Sequence, residues 1–335
     1  MKAARCFMCR FSAALALAVS LLTASAGHAE VAEIKLANQY GFGHITLTTI
    51  KGEKLIEKHA ALAGVTLAPK WFNTQGSATM ADALLSGSAD VVSLGTTGFL
   101  NLWDKTRGEV KAVGPVSAIP MYLITRNPAV NSVKDFSETD RIAVPAVKVS
   151  PQAVFLQIAA ARAFGDKSFD KLDRLTVALS HPDATQALTT GAVSAHFTPP
   201  PFHEDELKLP NARIILRTAD VFGGETTQVV LATTRKFHDA NPKVYGVLLA
   251  ALKEALEIQR TDPKRVAENY LRETGDKMAL ADAVKQLTEL EPAYDSVPRN
   301  TVAFTDFMVK TGAIKTRPAN WKDLFFAEIH DQPGS

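Results

Sequence analysis

One block of about twenty residues occurs twice in this chain, and the repeat limits the folds open to it. Met80 to Phe99 reads MADALLSGSADVVSLGTTGF, and Ala184 to Phe202 reads ATQALTTGAVSAHFTPPPF. Ala83-Leu84-Leu85-Ser86-Gly87 aligns with Ala187-Leu188-Thr189-Thr190-Gly191. Each copy reads as a helix end, a glycine just beyond it, a short buried strand and a polar loop rich in Gly or Pro. Glycine suits the position after a helix because it takes a left-handed conformation without a Cβ clash. Two matched helix–Gly–strand units predict two α/β lobes of similar topology. Ligands in open α/β sheets sit beyond the carboxyl ends of the strands. The loops Gly95–Gly98 and Thr198–Pro201 are therefore expected to face each other across a cleft.

The first residues bear on the compartment. Lys2, Arg5 and Arg10 form a basic stretch, and Phe11 to Leu22 is an apolar run of twelve residues, short for a bilayer span. Ala24-Ser25-Ala26 and Gly27-His28-Ala29 both fit a cleavage site. Residues 1–29 thus read as a signal peptide, cut after Ala29 in preference to Ala26, and the expected location is the periplasm. Cys6 and Cys9, the two cysteines of the chain, lie in this segment, so the mature protein is expected to have no disulfide, thiolate nucleophile or cysteine-ligated metal. Removing Lys2, Arg5 and Arg10 from 37 basic residues leaves 34 against 35 acidic ones and turns a net charge of +2 into −1. No basic cluster of the nucleic-acid-binding kind remains.

Strands and helices alternate along the rest of the chain. Ten strands are expected: Glu33–Ala37, Val65–Trp71, Asp90–Leu94, Lys111–Val116, Met121–Thr125, Arg141–Pro145, Leu175–Leu179, Val193–Phe197, Arg213–Leu216 and Gln228–Thr233. Continuous apolar runs such as Val229-Val230-Leu231 suit strands covered on both faces. The alternation predicts an α/β fold with mainly parallel sheets flanked by helices. The last third is helical. Asn241-Pro242 and Asp262-Pro263 read as cap-plus-proline helix starts, and helices over Ala279–Leu290 and Thr301–Thr311 complete an expected layer on the first lobe. Met121–Pro128 resembles Val229–Lys236, two strands ending in Thr/Arg. Both are expected beside crossovers between lobes, with Pro120 and Gly223-Gly224 as hinge elements. The expected division is 30–119 with 226–335 as lobe I and 120–225 as lobe II.

Several of these stretches resemble the periplasmic solute-binding proteins of ABC importers in the nitrate, sulfonate, taurine and bicarbonate group. The resemblance runs from Glu33 to about Phe326. It rests on Ala83–Asp90, Val133-Lys134-Asp135-Phe136 leading into Arg141–Pro145, Val229–Phe237, Asn241-Pro242, Phe307–Gly312 and Trp321–Phe325, in that order. It implies a two-lobed type II binding-protein fold, each lobe a mainly parallel sheet flanked by helices, hinged by two crossovers. It further implies a monomer that closes on a small-molecule solute and delivers it to the transmembrane subunits of an ABC permease, or, alternatively, a periplasmic sensor subunit that presents its solute to a membrane receptor. The chain departs from the group where Phe197–Pro201 lacks an aromatic-acidic pair and where Ala146–Ser150 lacks glycine-serine richness. The resemblance implies that those loops touch the solute, so the solute of known members does not transfer.

The expected ligand shell comes from the strand ends and helix starts: Asn38, Gln39, Tyr40, Phe42 and His44 after the first strand; Asn73, Gln75 and Ser77 after the second; Thr96 and Thr97 after the third; and Ser150, Gln152, Thr198 and Glu225 from the second lobe and its return. Helix N-termini offer free N–H groups and a positive dipole end. Ser150 is expected to cap its helix in any case. His196 on its strand reads as a core histidine, and His203-Glu204-Asp205 as a solvated loop without metal-binding spacing. Lys148 is the nearest expected cation. There is no Gly-x-Ser-x-Gly elbow, phosphate loop or dinucleotide fingerprint. The expectation is a binding protein with no catalytic residues, cofactor or metal.

Overall fold

The computed structural model describes residues 30–74, 76–290 and 293–335; the signal-peptide reading and Gln75 lie outside the described residues. Two five-stranded sheets carry the fold. The first contains β1 (Glu33–Asn38), β2 (Ala68–Asn73), β3 (Val91–Gly95), β4 (Val110–Ser117) and β10 (Val229–Thr234), in the order β2-β1-β3-β10-β4. The second contains β5 (Tyr122–Thr125), β6 (Ile142–Val144), β7 (Thr176–Ala178), β8 (Ala195–Thr198) and β9 (Arg213–Arg217), in the order β7-β6-β8-β5-β9. Each expected strand is present, with ends shifted by a residue or more.

The two orders are the same pattern. β1 pairs in parallel with β2 and β3, and β6 in parallel with β7 and β8. In each sheet one antiparallel strand is inserted second from an edge: β10 between β3 and β4, β5 between β8 and β9. These inserted strands are the pair Met121–Pro128 and Val229–Lys236 whose sequences look alike. Each follows a crossing from the other sheet, so each half, lobe I on the first sheet and lobe II on the second, is completed by a strand that arrives from its neighbour. The repeated block occupies matching places too. Helix α3 (Gly76–Ser86) leads into β3, and α6 (His181–Thr190) into β8. Gly87 and Gly191 follow these helices at φ 74° and 80°, a region that costs glycine nothing and other residues about 1 kcal/mol or more. Val91–Gly95 is buried throughout and Val229–Thr234 nearly so, as strands covered on both faces require.

The two crossings run side by side. Gln228 N–H donates to Ser117 O (2.8 Å) where they leave the first sheet, and at the second Met121 N–H donates to Thr218 Oγ1 and Thr218 N–H to Met121 O, both at 3.0 Å. Pro120 lies in the first crossing and Gly223-Gly224 in the second. Around lobe I lie α1 (Ile45–Gly52), α2 (Leu55–Leu62), α3, α4 (Thr96–Lys105), α9 (Arg235–Ala240), α10 (Pro242–Thr261), α11 (Pro263–Thr274) and α12 (Leu280–Glu289); lobe II carries α5 (Pro151–Phe164), α6, α7 (Phe202–Leu207) and α8 (Ala219–Phe222).

Of the two cap-plus-proline starts, one forms as expected and one does not. Asp262 caps α11 through Arg265 N–H (3.1 Å). Asn241 does not cap α10; its Oδ1 accepts from Val31 N–H (3.0 Å) and its Nδ2 donates to Phe237 O (2.9 Å). The last helix, α13 (Thr301–Lys310), is not confined to lobe I as expected. Phe304 is fully buried and meets Phe155 of α5 and Phe222 of α8, each edge-on with centroids 5.1 Å apart. Lys310 pairs with Asp166 beyond α5 (2.7 Å), while the same helix packs on α4 of lobe I. Its apolar stripe thus seats on both lobes because lobe II presents an aromatic cluster to receive it.

Candidate functional site

Helix starts from both lobes meet at one cavity. It has about 430 Å³ of empty space counted out to its mouth. Gln39, Tyr40, Gly43 and His44 reach it from the β1–α1 turn, Ser77 from the first turn of α3, and Gly95 from the start of α4. Lobe II contributes Ser150, Pro151 and Gln152 at the start of α5, His181 at the start of α6, and Pro199. The crossings complete the wall with Ile119, Met121 and Gln228. Ser150 Oγ accepts from Ala153 N–H (3.3 Å) and donates to Ala146 O (2.8 Å), so it is a true cap. Ser180 caps α6 in the same way.

The lobes touch directly around this cavity. Phe42 N–H donates to Pro200 O (3.0 Å), and Thr97 Oγ1 to Val149 O (2.6 Å). A Cβ on Gly95 would lie 2.7 Å from Pro151 Cδ, and one on Gly76 would lie 2.4 Å from Pro145 O. The repeat-derived loops both reach the cavity, through Gly95 and Pro199. They are not each other's partners, because Thr97 meets Val149 and Pro200 meets Phe42. Residues Thr96–Gly98 already belong to α4 rather than to a loop.

Of the expected ligand residues, Gln39, Tyr40, His44, Ser77, Ser150 and Gln152 line the cavity together. The others among the described residues lie elsewhere. Phe42 turns its ring into lobe I, fully buried against Tyr270 (4.9 Å, edge-on). Asn38 and Asn73 sit at a neighbouring depression with Trp71 and Glu273. Thr96 Oγ1 is spent on Thr227 O (2.7 Å), and Thr97 on the lobe contact. Thr198 is buried beneath the cavity near Glu206 (3.4 Å). Glu225 lines a separate depression beside the crossings, with Pro120 and Thr218, and lies 3.5 Å from Arg299. Lys148 is also away from the cavity. His203, Glu204 and Asp205 form the helix α7, not a loop; His203 stacks on Tyr122 at 4.8 Å. Among the described residues no group of three or more His, Cys, Asp or Glu is placed to hold a metal ion.

The electrostatics are those of a neutral polar pocket with positive helix ends. Among the described residues no Lys, Arg, Asp or Glu lines it. Burial holds His44 far below the usual histidine range, at about 3, and its Nδ1 lies 2.8 Å from Ser93 Oγ. His181 is likewise held well below that range, first by burial and then by His196 and His44. Both are therefore uncharged near neutrality. Negative charge in such a space is favoured by helix dipole ends, each worth about 0.3–1 kcal/mol and up to roughly 2 when partly buried.

His196 is a core histidine, as expected: fully buried, with Nδ1 2.6 Å from Glu206 Oε1 and Nε2 2.9 Å from His181 Nδ1. Sequence reasoning missed His181 and Gln228. The repeat itself held a signal for the first, since carrying its alignment three residues upstream places His181 opposite Ser77.

No protein-family model and no curated protein matches the chain. Solved structures do match its fold. The alkanesulfonate-binding protein SsuA from Xanthomonas axonopodis pv. citri, bound to MOPS, is 20% identical with a TM-score of 0.69, over 90% of this chain and 98% of that one. The periplasmic aliphatic sulphonate-binding protein SsuA from Escherichia coli is 18% identical with a TM-score of 0.65, over 89% and 92%. The periplasmic nitrate-binding protein NrtA from Synechocystis PCC 6803 is 13% identical with a TM-score of 0.61, over 77% and 70%. The chain has the two-lobed periplasmic-binding-protein fold, with two sheets joined by two crossings.

Proposed function

We propose that this protein is the periplasmic solute-binding component of an ABC importer, a monomer that captures a small organic anion between its lobes and delivers it to the permease. The anion carries a carboxylate or sulfonate end. The observation that carries the reading is the inter-lobe cavity, lined by uncharged polar side chains at the starts of helices from both lobes. Converging N–H donors hold an acidic group without an arginine clamp, and Tyr40 offers an aromatic wall. Among the structural neighbours, the name of the alkanesulfonate-binding protein supports the same solute class, and that of the nitrate-binding protein supports an anion. Residues 30–119 with 226–335 and residues 120–225 act as the two bodies, closing by rotation about the paired crossings.

The test is thermal melting of the mature protein against a panel of sulfonates, carboxylates and nitrate, each organic anion beside its uncharged amide or alcohol. A ligand that binds only the folded state at a hundredfold excess over Kd stabilises it by about 2.7 kcal/mol, a shift of roughly a few degrees for a chain of this size. Anions should shift the melt and their neutral counterparts should not. A panel in which neutral members bind as well as anions would overturn the proposal.

A further inference from the structure

Behind the cavity wall a chain of buried titratable groups runs inward. His181 lines the cavity. Its Nδ1 lies 2.9 Å from His196 Nε2, and His196 Nδ1 lies 2.6 Å from Glu206 Oε1. His196 and Glu206 are completely buried. A carboxylate only accepts, so His196 carries its hydrogen on Nδ1 and accepts at Nε2. His181 must then carry its hydrogen on Nδ1, which leaves the Nε2 lone pair as the end of the chain at the cavity. Gln152 Nε2, 3.4 Å from that atom, faces it as a donor. Every N–H along the relay therefore points toward Glu206.

Two groups in this relay are incompletely satisfied. Glu206 Oε1 also accepts from Thr185 Oγ1 (2.7 Å), but its Oε2 is buried and has no hydrogen-bond partner among the described residues. Gln152 Oε1 is in the same condition. Such groups are costly to bury. A proton added at His181 Nε2 creates an imidazolium one ring away from the carboxylate, and rotation of the Gln152 amide brings its Oε1 round to accept the new N–H. The titratable groups facing His181 are His196 on β8 and His44 across the cleft, with Glu206 on α7 one ring beyond, on His196. Gln152 on α5 and the Phe202 ring, stacked at 5.7 Å, are uncharged; Asp183 on its own helix is bound to Ser180.

We propose that the cavity takes up its anionic solute together with one proton, held at His181 Nε2 and compensated by Glu206 through His196. In the empty cavity burial keeps His181 neutral. A closing anion supplies the missing counter-charge on one side while Glu206 supplies it on the other. The proton comes from solvent or arrives on the acid itself; no other bond changes. His181 is the specificity-determining contact, and His196 and Glu206 position and polarise it. The proposal rests on the anion-binding reading above.

The experiment uses the tightest anion of the panel. Proton uptake is measured by pH-stat titration in unbuffered salt, and affinity is followed across pH. One proton per bound anion is expected, with Kd rising about tenfold per pH unit from the low free value of His181 up through neutrality. His181→Gln should bind without proton uptake and without that slope. Glu206→Gln, which keeps shape but removes charge, should flatten the slope while leaving the fold intact. In the protein without ligand, imidazole nitrogen NMR should show His181 as the neutral Nδ1–H tautomer. Anion binding with no proton uptake, or an Nε2–H tautomer for His181, overturns this proposal and leaves the solute class standing. A panel with no anion bound overturns both.

Discussion

Replacing Gly95 with alanine should separate closure of the lobes from stability of the fold. Gly95 has φ −59° and ψ 136°, a conformation open to any L-residue, so the new methyl adds no backbone strain. Its cost comes from across the cleft. The Cβ would lie 2.7 Å from Pro151 Cδ and 2.9 Å from Pro151 Cγ, where carbon atoms ordinarily stand about 3.5–4.0 Å apart. Pro151 opens α5 and its ring cannot rotate away. Lobe II must therefore back off by roughly an ångström for ordinary contact. Overpacking of this kind costs about 1–3 kcal/mol, and here most of the cost falls on the closed form, since within lobe I only Ser77 Oγ, at 3.3 Å, has to give slightly. Gly95→Ala should weaken binding of the panel's anion by roughly 5- to 150-fold and enlarge the radius of gyration of the liganded protein. Its unliganded melting temperature should change little. Gly98→Ala is the contrast: its Cβ would meet Ser77 Cβ at 2.5 Å, inside lobe I, and should lower the melting temperature. If Gly95→Ala binds the anion within twofold of the parent and compacts equally, the Gly95–Pro151 contact is not a closing surface.

Phe304→Ala should destabilise the protein by about 3–5 kcal/mol, read by urea denaturation, because the ring is fully buried between Phe155 and Phe222; a loss below about 1 kcal/mol would show that α13 does not fasten lobe II. Gln152→Glu places a like charge beside the anion. At about 4 Å and an effective dielectric near 20 the repulsion is roughly 4 kcal/mol, so calorimetry should show at least a tenfold loss of affinity, and unchanged binding would remove the anion from the start of α5. His238 offers a pH test away from the site. Burial draws its pKa down, but hydrogen bonds to Asp239 and Glu328 outweigh this and leave it raised. Its contribution to stability is then full below the unfolded value of about 6.5 and fades as pH rises through the folded value. The melting advantage of the parent over His238→Gln should shrink from about pH 6 to about pH 9, and an advantage that grows would reverse the assignment.

The fold was legible because its signals are local and repeated. Gly87 and Gly191 end equivalent helices, and the look-alike strands β5 and β10 fill equivalent slots. The starts of α5 and α11 followed from Ser150-Pro151 and Asp262-Pro263 in the same way. Long-range partners were not legible. Asn241 has the sequence of a cap, yet a backbone N–H 210 positions away, that of Val31, takes its oxygen. Phe42 stands among cavity residues in sequence, but the tight turn at Gly41–His44 points its ring the other way, onto Tyr270. Alternation along a strand decides side-chain direction; a short turn obeys no such rule. His181, His196 and Glu206 are scattered over α6, β8 and α7, and only the packing of those elements joins them into one relay.

Isothermal titration of the mature protein with the panel shows whether the inter-lobe cavity binds a small organic anion. One sulfonate or carboxylate should bind saturably per chain, with its uncharged analogue at least tenfold weaker and the affinity reduced by Gln152→Glu. Equal or tighter binding of the uncharged analogue, or affinity untouched by Gln152→Glu, would contradict anion binding in this cavity.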